Sequence, residues 1–224
     1  MPVRNAGLYI EECLESILSQ TFSNWELIAI DDHSDDDSYN KLLGYTFKDD
    51  RVSVFKNEGK GIIEALRLAF KNSSGKYITR MDADDLMVNE KLDVLQNSLN
   101  KSGLGNIAVG LVEYFAQSNL GMGFKIYETW LNSLTYHGLN FKEIYKECVI
   151  PSPSWMVHRE DLVKSGAFDS NVYPEDYDLA FRFYKQGLKA IPCNYILHKW
   201  RDHEARASRN DVHYKDNKLS LIHI

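Results

Sequence analysis

Lys76-Tyr77-Ile78-Thr79-Arg80-Met81-Asp82-Ala83-Asp84-Asp85 is a short strand-forming run that ends abruptly in a cluster of carboxylates. Tyr77, Ile78 and Thr79 suit a pleated, half-buried strand. Carboxylates crowded at its carboxyl end repel one another, and a cation, a proton or a donor must offset that repulsion. A divalent ion such as Mg2+ or Mn2+ would do so, because hard cations take carboxylate oxygens and leave positions open for the phosphates of a nucleotide. The same residues would also serve as a helix N-terminal cap with spare negative charge, so the turn alone leaves both readings open.

Working outward, the preceding chain alternates between helix and strand. Ile10, Cys13, Leu14, Ile17 and Leu18 fall on one face of a helix around residues 12–20, and Ile62, Leu66, Ala69 and Phe70 do the same before Ser73-Ser74-Gly75 ends a second helix. Trp25-Glu26-Leu27-Ile28-Ala29-Ile30 is a short apolar run that stops in Asp31-Asp32-His33-Ser34-Asp35-Asp36-Asp37-Ser38, and residues 51–56 alternate as a further strand. This order predicts an α/β fold with a mixed, mostly parallel sheet flanked by helices. In open sheets of that kind ligands bind beyond the carboxyl ends of the strands. Both acidic clusters lie there, so they are expected to converge on one crevice.

Several segments, in this order, resemble the family 2 glycosyltransferases of GT-A (Rossmann-like) fold. They are Pro2-Val3-Arg4-Asn5-Ala6 before a helix, Asp31-Asp32-x-Ser34, Asn57-Glu58-Gly59, Gly75-Lys76-Tyr77-Ile78 leading into Asp82-Ala83-Asp84-Asp85, and Pro174-Glu175-Asp176-Tyr177. The resemblance implies an inverting, metal-dependent transfer of a sugar from a nucleotide-diphosphate donor, expected to be a UDP-sugar, to a hydroxyl of a glycan or lipid-linked saccharide. It implies that Pro2, Val3, Asn5, Asp31 and Asp32 hold the nucleotide, that Asp82 faces the ribose or the metal, and that Asp84 is the main ligand of Mn2+ or Mg2+. Asp176 is implied as the base that deprotonates the acceptor, with Glu175 beside it.

Further along, Ile196-Leu197-His198-Lys199-Trp200-Arg201-Asp202-His203-Glu204-Ala205-Arg206-Ala207-Ser208-Arg209 combines imidazoles and guanidinia. A late histidine completes the metal site in enzymes of this fold, and His203 is the first choice for it, His198 the second. Arg201, Arg206 and Arg209 suit a diphosphate clamp, or equally a basic surface strand with Trp200 in the core. Arg80 shares a strand face with Asp82 and is expected to neutralise the crevice or touch the donor. Trp155 and Trp130 suit either stacking on a sugar ring or core packing, core being favoured. The helical pattern after Pro174 also allows Glu175 and Asp176 to be an acidic first turn, where the helix dipole would keep Asp176 ionised.

With 224 residues and 44% hydrophobic content the chain can bury one full core. We expect a single domain over residues 1–218, with a nucleotide-sugar-binding half at 1–105, an acceptor-binding half at 106–218, and a non-native tail at 219–224. The aromatic-rich residues 113–150 are expected to set acceptor specificity. A formal net charge of -6 argues against nucleic acid as the main partner. Cys13, Cys148 and Cys193 have no paired spacing and suit reduced thiols. The absence of a long apolar run leads to the expectation of a cytoplasmic enzyme, peripheral to the membrane where a lipid-linked acceptor lies. The Gln-x-x-Arg-Trp motif of processive synthases is absent, which favours single additions. Relatives usually carry an apolar strand ahead of the Pro-x-x-Asn motif, so we also expect the first strand to be lacking, at a cost in core contacts. The alternative function is a catalytically silent sugar-nucleotide-binding domain or a folding-impaired fragment.

Overall fold

The computed structural model describes residues 1–116 and 120–206. Its strands are β1 (Pro2–Val3), β2 (Leu27–Asp31), β3 (Val52–Lys56), β4 (Tyr77–Thr79), β5 (Leu86–Met87), β6 (Asn106–Ala116), β7 (Trp155–His158) and β8 (Lys189–Asp202). Its helices are α1 (Ile10–Leu18), α2 (Ser38–Thr46), α3 (Ile62–Asn72), α4 (Lys91–Ser102), α5 (Met122–Tyr136), α6 (Arg159–Lys164) and α7 (Glu175–Gln186). The expected mixed α/β architecture is present. Its strands form two sheets, a parallel one in the order β1-β2-β3 and a mixed one in the order β4-β7-β6-β8-β5. Parallel pairing in the second sheet is confined to β6 with β8, whose long register carries a bulge around Gly110–Val112.

The stripe read for α1 is the face that packs, whereas α3 buries Ile63, Ala65, Leu66 and Ala69 and leaves Ile62 and Phe70 of its expected stripe half-buried. Ile10, Cys13, Leu14 and Ile17 of α1 are buried against β2, α4 and the β4–β5 region in the largest core cluster. Every residue of β2 is buried, as expected for a strand covered on both faces. A second cluster joins β6, β7, α6 and α7 through Ile107, Val157, Leu162 and Phe183. Trp155 belongs to it, 2% exposed and edge-on to Phe183, so the core reading of this tryptophan holds and it presents no face to a sugar.

One segment differs from expectation in an instructive way. Pro2-Val3 does not merely precede a helix; it pairs with Ile30 and Asp31 as a parallel strand of its own. β2 and β4 lie in separate sheets, and residues beside both line a cavity of about 450 Å³.

Candidate active site

Beyond the carboxyl end of β2, the acidic loop is stitched to the first residues of the chain. The Asn5 amide donates to Ser34 Oγ, the Asp35 amide to Asn5 Oδ1, the Ala6 amide to Ser38 Oγ, and the Gly7 amide to Asp36 Oδ2 at 2.8 Å. Asn5 adopts φ 50, a left-handed conformation that Asn tolerates better than most side chains. Gly7 is fitted closely enough that a Cβ would lie 2.0 Å from Asp37 Oδ1. Within this loop Asp32 is 4% exposed and clamped, its carboxylate accepting from Asn57 Nδ2 at 2.7 Å and from the Gly61 amide at 2.9 and 3.0 Å. Asp31 is equally buried. Its Oδ2 accepts a long bond from the Ser34 amide, and its Oδ1 has no hydrogen-bond partner among the described residues.

At the end of β4 the balance is struck by charge. Arg80, 8% exposed, pairs through Nε with Asp82 at 3.1 Å and through Nη1 with Glu175 at 2.9 Å, so one guanidinium joins the β4 turn to the first turn of α7. Arg80 therefore neutralises the crevice, as its strand face suggested. Asp176 follows directly, its Oδ1 accepting from the Tyr177 amide. The expectation that the helix dipole keeps Asp176 ionised needs correction: burial, reinforced by the adjacent Glu175 carboxylate and opposed by Arg80, raises its pKa to about 7. Desolvation outweighs the dipole here because the group is drawn into the protein rather than left at an exposed helix end.

Asp84, Asp85 and the end of β8 form the third part. His203 Nε2 lies 2.9 Å from Asp84 Oδ2, across 119 residues of sequence, and its ring packs against Tyr9 with centroids 4.5 Å apart. Burial alone would raise the Asp84 pKa, yet the bond to His203 and the charge of Arg206 hold it below its ordinary value. Adjacent ligands of an octahedral ion at about 2.1 Å are about 3 Å apart. Asp84 Oδ2 and His203 Nε2 therefore already have the spacing of two ligands to one cation. Asp82 is turned to Arg80, and among the described residues no group of three or more His, Cys, Asp or Glu side chains converges on one point.

The structure takes His198 and Arg201 inward. His198 is fully buried, with Nε2 2.9 Å from Asp85 Oδ2 and Nδ1 3.4 Å from Lys91 Nζ. Burial, helped by the positive charge of Lys91, holds its pKa well below the usual imidazole value. Arg201 is 6% exposed, donates to the Asp84 carbonyl and to Glu12, and lies over the rings of Tyr9 and Phe115. It supports the turn from beneath. Arg206 faces Tyr114 and Trp200 and contributes positive charge near Asp84 and Asp85. Arg209 and the tail at 219–224 lie outside the described residues.

Two contributors were not given roles by the sequence. Asp85 is 2% exposed and accepts the Arg201 amide at 2.8 Å while holding His198, so it fixes the end of β8 under the acidic turn. Lys91 is fully buried and donates to the Pro153 carbonyl. Helical spacing puts Lys91 on one face with Leu95 and Leu99, but its residue type argues for exposure, whereas Asp85 could have been suspected from its place in the run.

The chain is similar to known proteins along most of its length. The model of glycosyl transferase family 2 matches residues 1–166. The chain belongs to glycosyl transferase family 2. It is 31% identical over 212 residues, covering 94% of this chain and 78% of the relative, to the UDP-Glc:alpha-D-GlcNAc-diphosphoundecaprenol beta-1,3-glucosyltransferase WfgD of Escherichia coli. It is 25% identical to the glycosyltransferase GlyG of Streptococcus pneumoniae, covering 94% of this chain and 72% of that one. In three dimensions it resembles S. aureus TarS 1-349 in complex with UDP-GlcNAc, with a TM-score of 0.70 at 17% identity over 92% of this chain. It spans 58% of that TarS chain. The mannosyltransferase PcManGT from Pyrobaculum calidifontis, in complex with GDP-Man and Mn2+, gives a TM-score of 0.64 at 19% identity, covering 88% of this chain and 54% of that one. By family the protein is a transferase of glycosyl groups.

Proposed function

We propose that this protein is an inverting glycosyltransferase that uses Mn2+ or Mg2+ and a UDP-sugar and delivers the sugar to a hydroxyl of a lipid-linked saccharide. The observation that supports the reading is the Arg80 bridge, which ties Asp82 of the acidic turn to Glu175, the neighbour of Asp176, while Asp84 of the same turn meets His203. In this reading residues 1–105 bind the nucleotide sugar, with Pro2, Val3, Asn5, Asp31 and Asp32 around the nucleoside, and residues 106–218 face the acceptor.

Asp84 and His203 would hold the cation, with Asp82 able to join them by leaving Arg80. A divalent ion held by them would spread the charge that develops on the departing diphosphate. Asp176 takes the proton of the acceptor hydroxyl as that oxygen bonds to the anomeric carbon. The bond from that carbon to the diphosphate oxygen breaks on the opposite face, and the electron pair leaves with the nucleoside diphosphate. A base whose pKa lies near 7 is suited to this, because it is unprotonated in useful amounts yet holds the proton once taken. Glu175 keeps Arg80 in place, and Arg80 restrains the repulsion between the two carboxylate pairs.

The names of WfgD and TarS support a UDP donor, and that of WfgD supports a diphospholipid-linked acceptor. No helix among the described residues is long and apolar enough to cross a membrane. We place the reaction at the cytoplasmic membrane face, where a peripheral enzyme would meet such an acceptor. Calorimetric titration with UDP, GDP and dTDP, each with and without Mn2+, tests the donor site. Metal-dependent binding selective for UDP is expected, and a folded protein that binds none of the three would overturn the reading.

A further inference from the structure

The Gly61 cap of α3 holds Asp32, and the middle of the same helix reaches the approach to Asp176. There Arg67 donates through Nε to the Phe168 carbonyl at 2.9 Å. Through Nη2 it donates to the Asp169 and Ser170 carbonyls at 2.6 and 3.2 Å and to Asn171 Oδ1 at 2.6 Å. Its Nη1 pairs with Glu64, three residues earlier. Phe168 adds an apolar contact to α3, its ring edge-on to Phe70 with centroids 5.9 Å apart.

Carbonyls of consecutive residues turned toward one point repel one another, so a compact group with several donors must hold them there. Guanidinium offers five N–H donors in a fixed plane, whereas a lysine carries three on a single atom. The same segment is gripped from the side of α7, where Arg182 Nη1 donates to the Ser165 and Ala167 carbonyls at 2.5 and 2.8 Å. Ala167 adopts φ 40, a left-handed conformation uncommon outside glycine. Residues 165–171 are thus shaped by two guanidinia, one from α3 and one from α7.

The chain then runs directly into the first turn of α7. Just before it, Tyr173 Oη lies 3.3 Å from where a Cβ on Gly61 would stand, so the segment meets α3 at its cap as well as at its middle. The Gly61 amide in turn donates to both carboxylate oxygens of Asp32. A path from Asp32 to Asp176 therefore passes through α3 and residues 168–173, separate from the Arg80–Glu175 bridge. Arg67 itself is not set to act on a substrate, because all three of its guanidinium nitrogens are already engaged by Glu64 and this segment.

We propose that Arg67 is a positioning residue: by fixing residues 168–171 it sets where the first turn of α7 stands, and so where Asp176 lies relative to a nucleotide at Asp32. The inference rests on the proposed role of Asp176 as base. Misplacing a reacting group by about 1 Å costs on the order of 10²-fold in rate, so loosening this segment acts on turnover rather than on donor binding.

Two variants test it beside the unsubstituted chain. Arg67→Met keeps an unbranched stem and removes every donor, while Arg67→Lys keeps the charge opposite Glu64 and removes the fork. In Arg67→Met the Tyr177 and Asp178 amides are expected to exchange hydrogen about tenfold faster or more, with the Ile30 amide of β2 unchanged. Turnover of UDP-glucose, read as UDP released, should show kcat lowered by about 10²-fold. The KM for UDP-glucose and the calorimetric affinity for UDP should stay within about twofold. General loosening of the fold would instead speed exchange in β2 and reduce the number of UDP sites. Arg67→Lys should shift both readouts in the same direction, and it carries the test if Arg67→Met does not fold. Unchanged exchange at Tyr177 and Asp178, an unchanged kcat, or full recovery of both by Arg67→Lys would overturn the proposal. If the unsubstituted chain turns over no UDP-glucose, exchange at those two amides decides alone, so failure of the proposed activity and failure of this inference are told apart.

Discussion

Two acidic segments end strands in this molecule and differ in what satisfies them. The loop at 31–38 is held mainly by neutral donors, the backbone amides of Ser34, Ser38 and Gly61 and the amide side chain of Asn57, with Lys41 paired to Asp37 near its end. The turn at 82–85 is balanced by cationic or ionisable side chains, Arg80 before it and His198, Arg201 and His203 from β8 and just beyond. Carboxylates held by neutral donors fix the course of a loop through hydrogen bonds. Carboxylates held by cationic groups can exchange partner, giving up an arginine or histidine for a metal ion without leaving a bare charge. The first segment is therefore suited to shaping a pocket and the second to changing state within a reaction cycle.

The sharpest way to break that comparison is at Asp176, joined to the second segment through Glu175 and Arg80. Asp176→Asn is expected to lower sugar transfer by roughly 10²–10⁴-fold and to leave Mn2+-dependent UDP affinity nearly unchanged, as measured by turnover and calorimetry on one preparation. Parallel loss of both would show that Asp176 acts in binding. Next in size is Asp84→Ala. It should weaken UDP binding in the presence of Mn2+ by about 10–100-fold or more, the scale on which even outer partners of a metal act, with metal-free binding little altered. Persistent Mn2+ dependence in this variant would move the cation elsewhere.

Protonation offers a smaller and reversible perturbation. With its pKa raised to about 7, Asp176 is increasingly protonated as pH falls below that value and can no longer accept a proton. The value of kcat/KM should fall about tenfold per pH unit on the acid side, and the residual activity of Asp176→Asn should lack that limb. In the first segment the expected effects are structural. Asp32→Ala removes the acceptor of the Asn57 and Gly61 donors and is expected to cost about 1–3 kcal/mol of stability, read from denaturant midpoints, together with weaker metal-free UDP binding.

The sequence was most legible where local chemistry and local structure coincide. The stripes of α1 and α3, the apolar run of β2 and the acidic end of β4 each lie within a few residues, and each appears close to where periodicity placed it. Asp84 with His203 was legible through the resemblance, since no spacing rule links positions 119 residues apart. The inward turn of His198 and Arg201 was not legible, because alternation puts them on opposite faces of β8 and only the tertiary packing covers both faces there. The pKa of Asp176 was misjudged for a related reason: a helix-end position is visible in sequence, whereas the burial that outweighs the dipole arises from α7 packing on the second sheet.

Lys91 gives the last and smallest prediction, and it tests whether the support beneath the second segment is itself electrostatic. Its amine is fully buried against the Pro153 carbonyl and His198, the latter joined in turn to Asp85. Burial lowers its pKa from 10.5 to about 7, with Asp85 and Asp82 opposing the shift. An unfolded Lys91 stays protonated up to about pH 10.4, so between pH 7 and that value the unfolded state binds more protons than the folded one. The lysine's contribution to stability is thus complete above the unfolded pKa and is lost as pH falls toward 7, with a slope of up to roughly 1.4 kcal/mol per pH unit. Lys91→Met removes that titration. Denaturant unfolding of both proteins at pH 7.5 and 9.5 should show the native chain gaining stability relative to the variant at the higher pH. A constant difference would mean that Lys91 titrates alike in both states and keeps its charge beneath the acidic turn throughout this range.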